Sequence, residues 1–229
     1  MPSAPVDLSD LGPLYHDYAF FGATGEQLPG HFAPNQRAKA PILTAYIALA
    51  LADVLEEEPE PSFVELFCAD AYYAMVAGRL GAATVRGIDN NRDEHSDTAE
   101  EIARRLGIGG FELIEADVAD MASFEPADVV ANVGGLYHVG NPEQVLQDSY
   151  ALARRYLVVQ TVVSLENEDP DYFEAPAPGW DWGSRYNAVS FDTMVRDQGW
   201  ELLAWHRNEL TGNGLAKDRG SVYYLIEKS

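Results

Sequence analysis

The chain has 229 residues, 47% hydrophobic and 11% aromatic, a composition that suits one globular domain with a large core and excludes a disordered chain. Its formal net charge of -22 sets a field that repels polyanions, and an acidic surface suited to solubility or high salt is the expected reading. Cys68 is the only cysteine, so neither an intrachain disulfide nor a cysteine metal cluster can form; no metal site is expected, and a reducing cytoplasm is the expected compartment.

Residues 1–10 carry neither the basic start nor the apolar core of a signal peptide. Residues 1–34 are rich in Gly, Pro and aromatic side chains (Tyr15, Tyr18, Phe20, Phe21, Phe32), and residues 1–40 are expected to form an N-terminal flap on a single domain spanning 41–229. Pro41 is expected to open a helix reaching about Glu57, with Ile42, Ala45, Tyr46, Leu49 and Ala52 or Asp53 on one face. Its apolar run, 42–52, is shorter than the roughly 20 residues of a bilayer span, which predicts a core helix.

From there strands and helices alternate. Strands are predicted at 62–67, 84–88, 111–115, 128–133 and 156–163, with helices at 72–80, from about Asp97 to Gly107, and at 142–154. Asp97 and Glu100 make a candidate capping box, and the pairs Arg104-Arg105 and Arg154-Arg155 read as ends of surface helices. A short helix at 191–198 precedes strand-like runs at 200–209 and 221–227. The Gly-rich turn 211–220 between them is too short for a crossover helix, so they should pair antiparallel. The predicted fold is α/β: a Rossmann-like, doubly wound, mainly parallel seven-stranded sheet ending in an antiparallel hairpin.

Ligands of open α/β sheets bind beyond the carboxyl ends of the strands. The residues found there are Glu65 to Tyr73 around the end of the first strand, Asp89-Asn90-Asn91 after the second, Ala116-Asp117-Val118 after the third and Asn132-Val133-Gly134-Gly135 at the fourth. An acid about twenty residues beyond the first loop suits ribose hydroxyls, and an acid after the third strand can accept from an adenine amino group. Together they describe an adenosine pocket. A nicotinamide-dependent oxidoreductase or epimerase would also use one, although the Gly-x-Gly-x-x-Gly fingerprint is missing.

The segments Val64-Glu65-Leu66 through Tyr73, Gly87-Ile88-Asp89, Glu115-Ala116-Asp117 and Asp128-Val129-Val130 resemble the successive motifs of class I S-adenosylmethionine-dependent methyltransferases. Leu28-Pro29-Gly30-His31-Phe32, Asp70-Ala71-Tyr72-Tyr73-Ala74-Met75, Leu136-Tyr137-His138-Val139, Trp180 to Asn187 and Arg219 to Tyr224 are similar to the branch containing the tRNA wobble-uridine methyltransferases. The resemblance implies S-adenosyl-L-methionine as cofactor and methyl transfer to an oxygen or nitrogen of a small-molecule acceptor. A tRNA wobble base, favoured by that branch, is opposed by the acidity and by the absence of a basic extension. The family usually has Gly-x-Gly-x-Gly after the first strand, whereas this chain has Phe67, Ala69 and Ala71. Alanine resists positive φ and a phenylalanine ring would lie where the cofactor chain runs, so a reshaped loop is expected. That departure also raises a third class, a non-catalytic relative of the fold.

The resemblance further implies that Glu65 and the backbone of Phe67, Cys68 and Ala69 hold the methionine amino group. Asp89 and Asn90 would take the ribose, Asp117 and Val118 the adenine, and Asn132, Val133 and Gly134 would flank the sulfonium. Tyr72 or Tyr73 would face the sulfur, and Arg37 would pair with the carboxylate or remain a solvated helix-start residue. His138 beside Tyr137 is the candidate base, or a structural histidine; His31 is a weaker candidate that would touch substrate. His16, His95 and His206 read as surface or packing residues, and Cys68 as an inert buried thiol. The long connection 165–187 has an acidic and an aromatic half and reads as a substrate cover using Trp180, Trp182, Arg185 and Tyr186.

Overall fold

The computed structural model describes residues 4–228, so the part of the N-terminal flap preceding Ala4 lies outside the described residues. Five strands, β1 (Ser62–Leu66), β2 (Thr84–Asp89), β3 (Phe111–Glu115), β4 (Ala127–Val133) and β5 (Ala153–Val163), are followed by the hairpin β6 (Glu201–Glu209) and β7 (Gly220–Glu227). The sheet runs β3-β2-β1-β4-β5-β7-β6, with β7 antiparallel to both of its neighbours and the other pairs parallel. The order reverses between β1 and β4, which opens a crevice beyond their carboxyl ends.

The strands bury side chains on both faces, as a parallel sheet covered by helices requires. Phe63, Val129, Ala131, Tyr156 and Val158 point into one core, filled from outside by α1 (Phe32–Glu57), α2 (Tyr72–Arg79) and α3 (Ala99–Leu106). Val64, Leu66, Val130, Leu157 and Val159 point into the other, covered by α4 (Pro142–Leu152) and α5 (Ala188–Asp197). The predicted fold class is the observed one.

Several boundaries differ from expectation. Helix α1 starts at Phe32 and carries Pro41 inside it rather than at its first turn. Its buried stripe is Leu43, Tyr46, Ile47, Ala50, Leu51 and Val54, one residue out of phase with the predicted face, and Leu49 is exposed. By length and hydropathy α1 could cross a bilayer, but in this fold that stripe is packed on the sheet. Helix α3 starts at Ala99 after Thr98, with no side-chain cap, since the Asp97 carboxylate accepts from Asn91 Nδ2 at 2.6 Å instead. Helix α4 stops at Leu152, so Arg154 and Arg155 belong to β5.

The N-terminal segment is tied down from below by Asp70, which is fully buried. Its carboxylate accepts from the His16 backbone N–H at 2.8 Å and bonds the His16 ring, and its carbonyl accepts from the Tyr18 hydroxyl at 2.8 Å. From the other side the turn between β6 and β7 docks on the start of α1. Gly212 N–H donates to Asn35 Oδ1 at 3.0 Å, and a Cβ on Gly212 would stand 2.5 Å from the His31 carbonyl oxygen.

Candidate active site

A cavity of about 650 Å³ opens beyond β1, β2, β3 and β4, roofed by the N-terminal segment. Of the residues expected to hold a cofactor, Glu65, Phe67, Cys68, Ala69, Tyr73, Asp89, Asn90, Asp117, Val118, Val133 and Gly134 line it, together with His31, Tyr137, His138 and Trp182 from the other groups.

The loop after β1 is the first determinant. Phe67, Ala69 and Ala71 have φ of 57°, 47° and 59°, so all three non-glycine residues adopt the left-handed conformation that the missing glycines would take freely. The expected reshaping of the backbone does not occur. Glycines lie instead in the strands and loops facing it. A Cβ on Gly87 would meet Cys68 Sγ at 2.9 Å and Ala71 Cβ at 3.0 Å, and one on Gly135 would fall 1.8 Å from Phe67 Cδ2. The Phe67 ring packs on Gly135, and the cavity stays open. Side chains hold the strained turn: Ala69 N–H donates to Asp89 Oδ2 at 3.0 Å, and Glu65 Oε2 accepts from Ala74 N–H at 2.7 Å in the first turn of α2. Ala69→Gly, at a half-buried position, should therefore raise stability by about 0.5–1 kcal/mol, a rise of roughly 2 °C in the midpoint of thermal unfolding. An unchanged or lowered midpoint would mean that the loop is not strained.

Asp89 and Asp117 sit side by side on one wall. Asp89 Oδ1 accepts from Asn91 N–H at 2.8 Å, Asp117 Oδ1 accepts from Ala119 N–H at 2.9 Å, and Asn90 Nδ2 reaches Asp117 Oδ2 at 3.2 Å. Each carboxylate keeps lone pairs for a ligand. At the opposite end are Glu65, whose burial pushes its carboxyl well above the usual carboxylate range, and Lys39, whose ammonium is pushed down to about 8 by burial. Tyr73 is 1% exposed and its hydroxyl has no partner among the described residues, an orphaned donor on the cavity wall.

His138 lies at the rim on a short turn, Leu136–His138, with its ring stacked on Trp182 at 5.2 Å and 6°. Solvent reaches His138 at the rim, yet desolvation by the groups packed around it, then the Arg185 charge, pushes the imidazole down to about 4, so it is neutral near neutral pH. In the unfolded chain it titrates near 6.5. Between those values the unfolded state binds more protons, so stability is lost as pH falls from about 6.5 to 4. His138→Gln should flatten the acid limb of a midpoint-against-pH curve over that window; an unaltered limb would show that another group governs it.

Six expected site residues lie elsewhere. Arg37 is exposed on the outer face of α1, one step out of phase with Lys39, which does reach the cavity. Tyr72 stacks on the His16 ring at 4.9 Å and anchors the N-terminal segment. Asn132 is fully buried and donates to Ser149 Oγ at 2.9 Å. Arg185 is buried behind the site: it pairs with Asp218 at 2.8 Å, and its guanidinium carbon lies 5.3 Å from the Tyr137 ring centroid. Trp180 is half exposed beside Trp182, and Tyr186 packs on Phe173 and Phe191. The connection between β5 and α5 thus contributes Trp182 alone to the cavity. It is fixed to the rim by Ser184 N–H donating to the Tyr137 carbonyl at 3.1 Å.

Sequence reasoning missed Lys39, Tyr15, Phe32, His16 and His95, all of which line the cavity. His16 and His95 are therefore cavity residues, whereas His206 is exposed on β6 as expected. Lys39 carried a signal, being one of three lysines and placed within an apolar helix. His16 carried none, because its partner Asp70 is 54 residues away.

No family model matches the chain, and no curated protein matches it. Solved structures do. The N-terminal domain of EvdMO1, in the presence of SAH (S-adenosylhomocysteine) and D-fucose, is similar with TM-score 0.65 at 19% identity, over 96% of this chain and 93% of that one. Magnesium protoporphyrin IX methyltransferase (ChlM) from Synechocystis PCC 6803 with bound SAH gives TM-score 0.65 at 14% identity, over 93% of each chain. The [4+2]-cyclase SpnF gives 0.59 at 16%, over 81% and 80%. At these identities the likeness establishes the class I methyltransferase fold. The cyclase among them is a reminder that chemistry has to be argued from the site.

Proposed function

We propose that the chain moves a methyl group from S-adenosylmethionine to an oxygen or nitrogen atom of a small-molecule acceptor. The observation that carries this reading is the shared wall of Asp89 and Asp117 beside a loop that keeps the left-handed backbone without its glycines. The cavity volume falls within the range of roughly 300–1,000 Å³ usual for small-molecule sites, and its donor set fits the group from end to end.

When bound, the cofactor supplies a methyl group on an activated sulfonium. Asp89 accepts from the ribose hydroxyls, Asp117 accepts from the adenine amino group, and Val118 packs on the ring. Glu65, raised by burial, gains most from an ammonium partner, so it and the Ala69 backbone take the amino group. Lys39 would take the carboxylate in place of Arg37, and Tyr73 rather than Tyr72, being the one that lines the cavity, would supply a ring to the positive sulfur. Val133 and Gly134 border the methyl group. Methyl transfer needs alignment and exclusion of water, which Tyr137, His138 and Trp182 provide at the rim. A neutral His138 can accept a proton from the acceptor, but its low basicity makes orientation its larger part.

Lys39→Met should weaken S-adenosylhomocysteine binding by about 1–2 kcal/mol through loss of a charge-assisted hydrogen bond, with Arg37→Met unchanged. Titration calorimetry that finds the reverse would return the carboxylate to Arg37.

The described segment ahead of α1, part of the expected 1–40 flap, acts in this reading as the cover of a single catalytic domain, working in the cytoplasm. A small acceptor is preferred to the tRNA base of the resembling branch because two of the three lysines and both arginine pairs are already engaged. Lys217 donates to the Pro178 carbonyl, Lys228 donates to the carbonyls of Tyr150, Ala151 and Ala153, and the two arginine pairs meet Glu101, Asp10, Asp128, Asp53 and Glu57. A thermal shift with S-adenosylhomocysteine and none with NADH supports the proposal. A shift with NADH alone would favour the oxidoreductase alternative, and none with either would remove both.

A further inference from the structure

Beside the main cavity, past Gly134, lies a smaller chamber of about 70 Å³ walled by α1, the end of β5 and the turn between β6 and β7. Part of its polar lining is already hydrogen-bonded. Asn35 is used by Asn213 and Gly212, and Gln36 by Asp17 and Gln27. Gln160 is not so engaged at one end: it is fully buried, and its Oε1 has no partner among the described residues.

Hydrogen bonds around β7 engage one end of that amide. The Ala38 carbonyl can only accept, so Asn208 donates to it through Nδ2 at 2.9 Å and turns Oδ1 to the Tyr223 hydroxyl, also at 2.9 Å. Ser221, two residues before Tyr223 on β7, accepts through Oγ from Gln160 Nε2 at 2.9 Å. The amide nitrogen is therefore committed to Ser221, and the amide oxygen is left as an acceptor at the junction of chamber and cavity. A Cβ on Gly134 would stand 3.8 Å from that oxygen.

We propose that this chamber is the acceptor subsite and that Gln160 selects an acceptor carrying a neutral hydrogen-bond donor, a hydroxyl or amino group, against carboxylates and ethers. The inference rests on the reading that the larger cavity holds the cofactor. A buried oxygen left unpaired, or set against another oxygen, penalises the wrong ligand more than a good hydrogen bond rewards the right one. The same argument makes Gln160 a specificity residue for alcohols and amines.

Ligand-observed NMR on the full chain loaded with S-adenosylhomocysteine tests this with three probes of similar shape: benzyl alcohol, benzyl methyl ether and benzoate. The alcohol is expected to bind, with the ether and benzoate weaker by about tenfold or more. Gln160→Met should erase the preference without changing S-adenosylhomocysteine affinity. Ser221→Ala, which frees the amide to turn its N–H groups inward, should let benzoate bind. Failure of the alcohol to bind, equal binding of the ether, a preference that survives Gln160→Met, or no gain of benzoate in Ser221→Ala would each overturn the assignment. Loss of S-adenosylhomocysteine binding by the unaltered chain would count against the cofactor reading instead; because Lys39 on the chamber wall would then be free to attract benzoate, the uncharged pair, alcohol against ether, still reads Gln160.

Discussion

Asp70→Ala is expected to cost roughly 3–5 kcal/mol of stability, the largest effect of any single substitution considered. Its carboxylate lies in the interior with the His16 backbone N–H and the His16 ring bonded to it, and alanine would strand both groups without water to replace it. The damage should spread outward, because His16 stacks on Tyr72, and Tyr15 and His16 both wall the cavity. Hydrogen exchange is expected to show early opening of residues 14–28 while the sheet keeps its protection. A variant whose midpoint of unfolding shifts by less than about 1 kcal/mol equivalent would mean that the N-terminal segment is held by its aromatic packing alone.

Asp89→Ala should be the most damaging change for ligand binding, weakening S-adenosylhomocysteine by about 2–3 kcal/mol in calorimetry. One side chain does two jobs: Oδ2 receives the Ala69 N–H that holds a left-handed alanine in place, and Oδ1 receives the Asn91 N–H. Alanine removes the ligand contact and loosens the loop. Asp89→Asn separates the two contributions, since it keeps one acceptor oxygen and loses the charge. Binding that survives in both variants would contradict the placement of the ribose.

Much of this architecture was legible in advance. The alternation of apolar runs with helical segments, closed by a gap too short for a helix, led to the sheet and its antiparallel end. The acids after β2 and β3 could be located because strand ends follow from where apolar runs stop. The loop after β1 was harder to read. A backbone conformation that glycine adopts freely is here imposed on Phe67, Ala69 and Ala71 by tertiary contacts, through the Asp89 carboxylate and through the space that Gly87 and Gly135 leave. No local rule shows that the cost is met elsewhere in the chain.

The phase of α1 was the other failure, and it had consequences. Placing the helix start at Pro41 left both Arg37 and Lys39 in the flap, where no helical phase distinguishes them. The true start at Phe32 turns Arg37 outward and Lys39 inward. Long-range partners account for the remainder. His16 with Asp70, and Gln160 with Ser221, meet only once the sheet has formed.

A structure of the chain in complex with S-adenosylhomocysteine bears most directly on the central claim. The account predicts ribose hydroxyls on the Asp89 carboxylate, the adenine amino group at Asp117 and the sulfur beside Gly134. A nucleoside bound anywhere else, or a Phe67 ring swung across that wall to exclude it, would contradict the account.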